Sequence, residues 1–228
     1  MEFNLFLWPM IIPMLIPIFY CIFNNKKSCV RIGLITVVMI FIVFFYWPFI
    51  NSNIFGEFTY IITKFLLFVL LPVIVIKFLD EKKSTINLAI FGLKKQGLKK
   101  SVKYFIFFIP VMIVTTIVVQ YIHGINSDIN ITQAIILFFE AFNEEFLFRG
   151  VLFIYLTKLT DLKIAYITSL ASFILIHPHN LNKILILGTI VQGILTIEIC
   201  RKTNNLIGAW LLHGFNRFFS LAIYPLLF

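Results

Sequence analysis

Three formal charges inside one apolar segment are the first feature of this sequence that could do chemistry. The segment "AFNEEFLFRG" contains Glu144, Glu145 and Arg149. In a helix, Glu145 and Arg149 lie four residues apart on one face, in the order that favours an ion pair. Glu144 lies about 100° further round the helix, on the face of Glu140. We therefore expect Glu144 to lack a cationic partner, and an unpaired carboxylate in apolar surroundings can accept a proton.

Two histidines extend this set. His177 ends the segment "SFILIH", and His213 lies in "LLHGFNRFF". At 1.5 Å per residue, Glu144 and His177 both lie about 20 Å from the same side of the predicted bundle, and His213 about 12 Å. A carboxylate and two imidazoles can activate a water as base and acid. They can also bind a divalent metal such as zinc. The H-E-x-x-H motif of zinc proteases is absent, so the sequence does not decide whether a metal is bound. If one is present, its ligands are Glu144, His177 and His213.

Composition indicates which elements must position these residues. The chain has 228 residues, of which 61% are hydrophobic and 13% charged, with a mean hydropathy of +1.00. Soluble domains have about 25% charged residues. The apolar residues form blocks of the length that a membrane-spanning helix needs, about 20 residues. We predict an all-α, polytopic membrane helix bundle with about eight transmembrane helices, near residues 3–23, 30–50, 58–79, 102–122, 131–156, 164–177, 184–200 and 205–226.

Lysine and arginine are concentrated in alternate gaps between these blocks, and they account for the net charge of +9. This alternation is the positive-inside pattern, and it predicts a multi-pass cell-membrane protein with both termini outside and the basic loops in the cytoplasm. Contact with anionic lipid follows, and nucleic acid is not an expected partner. The basic segment "FGLKKQGLKKS", within the gap 80–101, is either a short interfacial helix or a solvated linker.

Two motifs resemble those of a known family. Glu144, Glu145 and Arg149 match the pattern E-E-x-x-x-R, and Phe173 and His177 match a following F-x-x-x-H. In this order within membrane helices, they resemble the CAAX-protease and bacteriocin-processing family of intramembrane proteases, also called the CPBP or Abi family. The resemblance covers roughly residues 90 to 220.

The third motif of that family, a histidine followed four residues later by an asparagine, is matched only in part. His213 fits the first position, but position 217 is arginine and the nearest asparagine is Asn216. Arg217 could replace the asparagine as a stronger hydrogen-bond donor, block the site, or pair with Glu140. Asn216 should point about 100° away from position 217.

The resemblance implies a helix bundle that hydrolyses a peptide bond of a membrane-associated protein or peptide. It implies that Glu144 and His177 activate the attacking water and that His213 helps to stabilise the oxyanion. Glu145, Arg149, Asn216 and Arg217 would then have supporting roles. Whether the family uses a metal is disputed. Residues 1–101 would form variable N-terminal helices with the basic loop, and residues 102–228 the catalytic core.

Two other functions are compatible with the same residues. One is a non-catalytic bacteriocin-immunity or scaffold protein that acts by binding. The other is a small transporter, because intramembrane carboxylates also relay protons, although no inverted repeat supports it. Lys64 and Glu198 are the remaining isolated charges inside the apolar blocks. We expect Glu198 at the cytoplasmic end of its helix, beside Arg201 and Lys202, and the sequence identifies no partner for Lys64.

Overall fold

Long apolar blocks fold as helices, because a helix satisfies its own backbone hydrogen bonds where no water is available. In the computed structural model of the chain, the described residues are 5–24, 26–79, 87–124, 129–177 and 183–227, and they form eight helices and no β-strand. The first four are α1 (3₁₀ over Leu5–Met14, then α over Leu15–Asn24), α2 (Cys29–Ser52), α3 (α over Thr59–Lys64, π over Phe65–Leu70, α over Leu71–Leu79) and α4 (Leu98–His123). The others are α5 (α over Ile131–Glu145, π over Phe146–Tyr155, 3₁₀ over Leu156–Lys158), α6 (Leu162–Leu175), α7 (Leu185–Thr203) and α8 (α over Ile207–Phe218, π over Phe219–Ile223, α over Tyr224–Leu227).

The first four helices contain segments that are long and apolar enough to cross a membrane. These segments are Leu7–Asn24, Cys29–Ser52, Thr59–Phe78 and Leu98–His123. Among the described residues, α5 to α8 do not meet the same criteria of length, hydropathy and charge. The predicted all-α membrane protein is therefore confirmed, whereas the predicted number of transmembrane helices is supported only for these four.

Three helices change from α- to π-helical geometry beside charged residues. The change follows Lys64 in α3 and Glu145 in α5 directly. In α8 it comes two residues after Arg217. Single π-turns within α-helices occur frequently at functional sites, and here they mark the level at which α3, α5 and α8 meet.

Helix α8 lies against both α4 and α5, and two of its glycines allow this close approach. A Cβ atom on Gly214 would lie 2.7 Å from the carbonyl oxygen of Phe138 in α5. Gly208 packs directly on Ser101 of α4, whose hydroxyl accepts a hydrogen bond from the Gly208 amide at 2.8 Å. Helix α8 is thereby held where its polar residues face α4, α5 and α7.

The loop before α4 packs against the bundle, and neither sequence interpretation of it is correct for residues 87–97. Its 3₁₀-turn Leu88–Phe91 buries Phe91. Asn205 donates hydrogen bonds to the carbonyl oxygens of Lys94 and Gln96, at 2.6 and 3.2 Å. Because the loop covers the buried Asn205 and Leu206, α8 begins below the surface. The expectation that His213 lies closer to the membrane surface than Glu144 and His177 is thereby corrected. Residues 80–86 of the predicted gap lie outside the described residues.

The basic loops meet at one end of the bundle. Lys158 donates a hydrogen bond to the carbonyl oxygen of Ile90 at 2.9 Å, which joins two of these loops. At the other end, the Asn130 amide donates to the carbonyl oxygen of Leu221 at 3.2 Å. The charge asymmetry of the sequence is therefore an asymmetry between the two ends of the fold.

This asymmetry predicts the membrane orientation. In a protein whose native cysteines, Cys21, Cys29 and Cys200, are replaced by alanine, Ser52→Cys places a thiol at the end with few basic residues. Lys95→Cys places one on the basic loop. A membrane-impermeant maleimide should label Ser52→Cys in intact cells and Lys95→Cys only after permeabilisation, because basic loops are retained in the cytoplasm. The reverse labelling pattern would contradict this orientation.

Candidate active site

Three carboxylates of α5 are buried at the centre of the bundle. Glu140 and Glu145 are fully buried, and Glu144 is 2% exposed. An isolated charge in such surroundings is very unfavourable, so buried charges are normally paired. Among the described residues, three cations meet these carboxylates: Lys64 from α3, Arg149 from α5 and Arg217 from α8.

Lys64 bridges two of the acids. Its Nζ lies 2.7 Å from Glu140 Oε1 and closer still to Glu144 Oε1. It also donates a hydrogen bond to the Tyr60 hydroxyl at 2.6 Å. The sequence interpretation singled out Lys64 but assigned it no partner, although a signal existed, since an intramembrane lysine needs an acid and Glu144 was expected to lack a cation.

Arg217, on α8, binds the same two acids. Its terminal nitrogens lie 2.9 Å from Glu140 Oε2 and 2.8 Å from Glu144 Oε1. The expectation that Glu144 lacks a cationic partner is therefore wrong. Both of its cations come from other helices, and spacing within α5 cannot show them. The alternative in which Arg217 pairs with Glu140 is present in the structure.

Glu145 forms the predicted ion pair with Arg149 and also binds a histidine. Arg149 Nε lies 3.2 Å from Glu145 Oε2, and His213 Nδ1 lies 2.8 Å from Glu145 Oε1. Arg149 further donates to Thr196 Oγ1 at 2.5 and 2.9 Å and to the Gly193 carbonyl oxygen at 3.2 Å. This pair therefore anchors α5 to α7 and orients the imidazole of α8.

The two predicted histidines face the second oxygen of Glu144. His177 Nε2 lies 3.9 Å and His213 Nε2 3.8 Å from Glu144 Oε2. Among the described residues, Glu144 Oε2 has no hydrogen-bond partner. The structure thus brings Glu144, His177 and His213 together, and only one oxygen of the carboxylate is held by cations.

Hydrogen bonds of the rings indicate which nitrogens can accept a proton. His177 Nδ1 lies 2.9 Å from the carbonyl oxygen of Phe173, so a neutral ring has its proton on Nδ1 and a lone pair on Nε2. His213 Nδ1 faces the Glu145 carboxylate, and its Nε2 accepts a hydrogen bond from Arg217 Nε at 3.0 Å. His177 Nε2 and Glu144 Oε2 are therefore two adjacent acceptors.

Phe173 has a role beyond packing. Its ring lies under the Arg149 guanidinium, with the ring centroid 4.0 Å from the central carbon. Its carbonyl oxygen fixes the ring of His177. The phenylalanine and histidine of the second motif thus connect the arginine of the first motif to the candidate base.

Asn216 lies apart from this cluster of charges. It accepts a hydrogen bond from Thr116 Oγ1 at 2.5 Å and donates one to Gln192 Oε1 at 2.7 Å. Its side chain therefore faces α4 and α7, as the angle between positions 216 and 217 predicted. Position 217, where the family has asparagine, places a guanidinium against Glu144.

The donor set does not fit a divalent metal as it is arranged. The described residues contain no group of three or more His, Cys, Asp or Glu side chains placed to hold a metal ion. His213 Nε2 already accepts a hydrogen bond from Arg217. Lys64 and Arg217 both lie on Glu144 and would repel a further cation.

A cavity of about 260 Å³ borders this cluster. His177, His213 and Arg217 form one end of its wall, and polar residues of α4, α7 and α8 continue from there. Both histidines that face Glu144 therefore lie beside a space that a second molecule can enter.

Comparison with protein families gives one match. Residues 110–219, just under half of the chain, match the family model described as "Type II CAAX prenyl endopeptidase Rce1-like". This match confirms the resemblance predicted from the motifs. No curated protein and no solved structure matches the chain. The matched segment includes the acids of α5 and both histidines, whereas Lys64 lies outside it.

Because Lys64 bridges two buried acids, its removal should destabilise the protein, and the removal of one of these acids should reverse part of that loss. Lys64→Met should lower the free energy of unfolding by about 3–5 kcal/mol, the usual effect of removing one member of a buried ion pair. Glu140→Gln in the same protein should restore part of this loss, because one uncompensated charge is removed. Thermal unfolding in detergent, followed by size-exclusion chromatography, measures both changes.

Lys77→Met is the matched control, since Lys77 is an exposed lysine on the same helix. It should leave the unfolding temperature unchanged. Equal effects of Lys64→Met and Lys77→Met, or no recovery with Glu140→Gln, would contradict the bridge.

Proposed function

We propose that the chain, whose residues 110–219 match the family model of type II CAAX prenyl endopeptidases, is an intramembrane endopeptidase that cleaves a membrane-associated protein or peptide. The observation that carries this proposal is the open Glu144 Oε2, which faces the ring nitrogens of His177 and His213 at 3.9 and 3.8 Å beside a cavity. Residues 102–228 form the catalytic core, and the N-terminal helices contribute Lys64.

The acceptors suit the activation of a water molecule. A water between Glu144 Oε2 and His177 Nε2 would donate one hydrogen to each, and its lone pair would face the cavity. On attack of the water oxygen at the peptide carbonyl carbon, Glu144 takes a proton and passes it to the leaving nitrogen. The C–N bond then breaks to give an amine and a carboxylic acid, and the acid loses its remaining proton to solvent to become a carboxylate.

The charge on the carbonyl oxygen needs a hydrogen-bond donor, and Arg217 is suited to provide it. A guanidinium has five N–H donors, more than its bonds to Glu140, Glu144 and His213 use, and Arg217 lines the cavity. His213 supports the oxyanion by holding Arg217 through Nε2. The arginine at position 217 thereby replaces the asparagine of the family as a charged donor.

The reaction as written requires no metal. Glu144 is compensated by Lys64 and Arg217, so a glutamate–histidine hydrolase is the form of protease that the side chains support. The name of the matched family indicates the first substrate to test, a peptide with a prenylated cysteine in a C-terminal C-a-a-X sequence.

The first test of this proposal is cleavage of such a peptide by the purified protein in liposomes. Glu144→Gln and His177→Ala should each lower kcat by about 10²–10⁴-fold, the usual effect of losing a general base. His177→Ala should leave the folded yield and the unfolding temperature near those of the wild type. Glu144→Gln should lower the unfolding temperature, because Lys64 and Arg217 lose one of their buried partners, so kcat is compared per folded protein. His213→Ala should reduce kcat by about 10²–10³-fold, because Arg217 would no longer be held in place as the oxyanion donor.

Glu198→Gln is a suitable control, because Glu198 pairs with Arg201 at the cytoplasmic end of α7, 2.7 Å away. It should keep full activity. If Glu144→Gln cleaves as fast as the wild type, the catalytic assignment is wrong, and the protein acts by binding instead.

A second test concerns the metal. Cleavage should be unaffected by prolonged dialysis against EDTA, because two cations already compensate Glu144. A zinc protease treated in parallel provides the positive control. Loss of activity that added zinc restores would overturn the metal-free form of the proposal while leaving the endopeptidase itself in place.

A further inference from the structure

The cavity beside the candidate catalytic residues has a neutral, amide-rich wall. Away from its charged end, it is lined by apolar residues of α4 and α7 and by the polar residues Thr116, Gln120, Thr189, Gln192, Asn216 and Ser220. None of these polar side chains is charged. A wall of this kind offers hydrogen-bond donors and acceptors without selecting an anion or a cation.

Most of these polar groups are already bonded to each other. Thr116, Asn216 and Gln192 form one chain of hydrogen bonds, with distances of 2.5 and 2.7 Å. Gln120 Nε2 donates to Ser220 Oγ at 2.5 Å. These bonds fix the amide groups of α4, α7 and α8 in place before any ligand binds.

Gln120 Oε1 is the exception. The residue is only 6% exposed, and among the described residues its Oε1 has no hydrogen-bond partner. A buried acceptor that remains unsatisfied is unfavourable, and buried polar groups are rarely left so. A ligand that donates one hydrogen bond at this point would remove that cost.

The positions along α8 give the length of chain that fits. His213 and Ser220 are seven residues apart and both line the cavity, so they lie about 10 Å apart along the helix axis. An extended peptide advances about 3.4 Å per residue. The peptide group that reaches Gln120 is therefore about three residues from the group at the catalytic end.

The cavity also has a direction. It is lined by the second half of α4 and the first half of α7. Both halves lie toward the end of the bundle that is opposite the basic loops. A chain segment in the cavity would therefore run from the candidate base toward the predicted outer face.

From these observations we infer that the cavity is the binding site for an extended polypeptide segment of the substrate. Gln120 Oε1 accepts a backbone N–H about three residues from the cleaved bond. This inference rests on the proposed function, because it identifies the cavity residues as the part of the protease that holds the peptide. The ligand chemistry is that of the peptide backbone, which provides alternating N–H and C=O groups and requires no particular side chain.

The experiment combines a protein variant with a backbone change in the peptide. The probe is the fluorescently labelled, prenylated C-a-a-X peptide, extended on both sides of the cleaved bond, and a set in which single backbone amides are N-methylated. On the wild type, methylation at one position should raise KM and the dissociation constant about tenfold, since one buried acceptor loses its donor. Methylation at that position should change kcat little.

Gln120→Leu should raise KM by a similar factor, and methylation at the sensitive position should then have no additional effect. Such non-additivity is the signature of two groups in contact. Tyr121→Leu is the matched control, because Tyr121 is the next residue in α4 and is 75% exposed. It should behave as the wild type in every assay.

Failure of this inference can be distinguished from failure of the proposed function. Normal cleavage with an unchanged KM in Gln120→Leu, or no sensitive position on the wild type, overturns the binding site and leaves the protease in place. Peptide binding without cleavage, weakened by Gln120→Leu, keeps the site and removes the protease. If Gln120→Leu does not fold, the methylated peptides on the wild type still decide, because the absence of a sensitive position overturns the inference.

Discussion

Compensation of three buried carboxylates is the constraint on which the rest of this structure depends. Helix α5 carries these acids through an apolar bundle, where uncompensated charges would prevent folding. Only one of the three cations comes from α5 itself, so α3 and α8 must approach α5 at a single level. The members of this neutral cluster are Glu140, Glu144, Glu145, Lys64, Arg149 and Arg217.

The same compensation gives the two oxygens of Glu144 different surroundings. Its Oε1 is held by Lys64 and Arg217, whereas its Oε2 faces two imidazoles beside the cavity. The cations thus orient the carboxylate without binding the oxygen that faces the two imidazoles. Arg217, the candidate oxyanion donor, binds both Glu144 and His213, which couples this donor to the candidate base and to the imidazole that holds it.

Local spacing predicted a large part of this arrangement. The pair of Glu145 and Arg149 follows from helical periodicity, and the proximity of Glu144 and His177 follows from counting turns in antiparallel helices. Long-range pairing could not be predicted in this way. The partners of Glu144 come from helices that are separated from it by about 70 to 80 residues of sequence, and nothing in α5 indicates which cation will reach it.

For the fold as well, the sequence predicted features that depend on one segment and did not predict features that depend on contacts between distant segments. Apolar block length predicted the helices well, because the period and the length of a helix are properties of the segment itself. The buried loop of residues 87–97 was not predicted, since its place depends on hydrogen bonds to Asn205, more than 100 residues later. That loop sets where α8 begins, and thereby brings His213 to the level of Glu144.

Infrared spectroscopy of the carboxyl groups measures this compensation most directly. The difference between the spectra of the wild type and of Glu144→Gln, recorded at neutral pH with glutamate labelled by carbon-13, reports the protonation state of Glu144 in the folded protein. The account predicts that the substitution removes an ionised carboxylate band, because Lys64 and Arg217 stabilise the charged form. Removal of a protonated carbonyl band instead would show that Glu144 is neutral, and would contradict a charge-compensated base at the centre of the bundle.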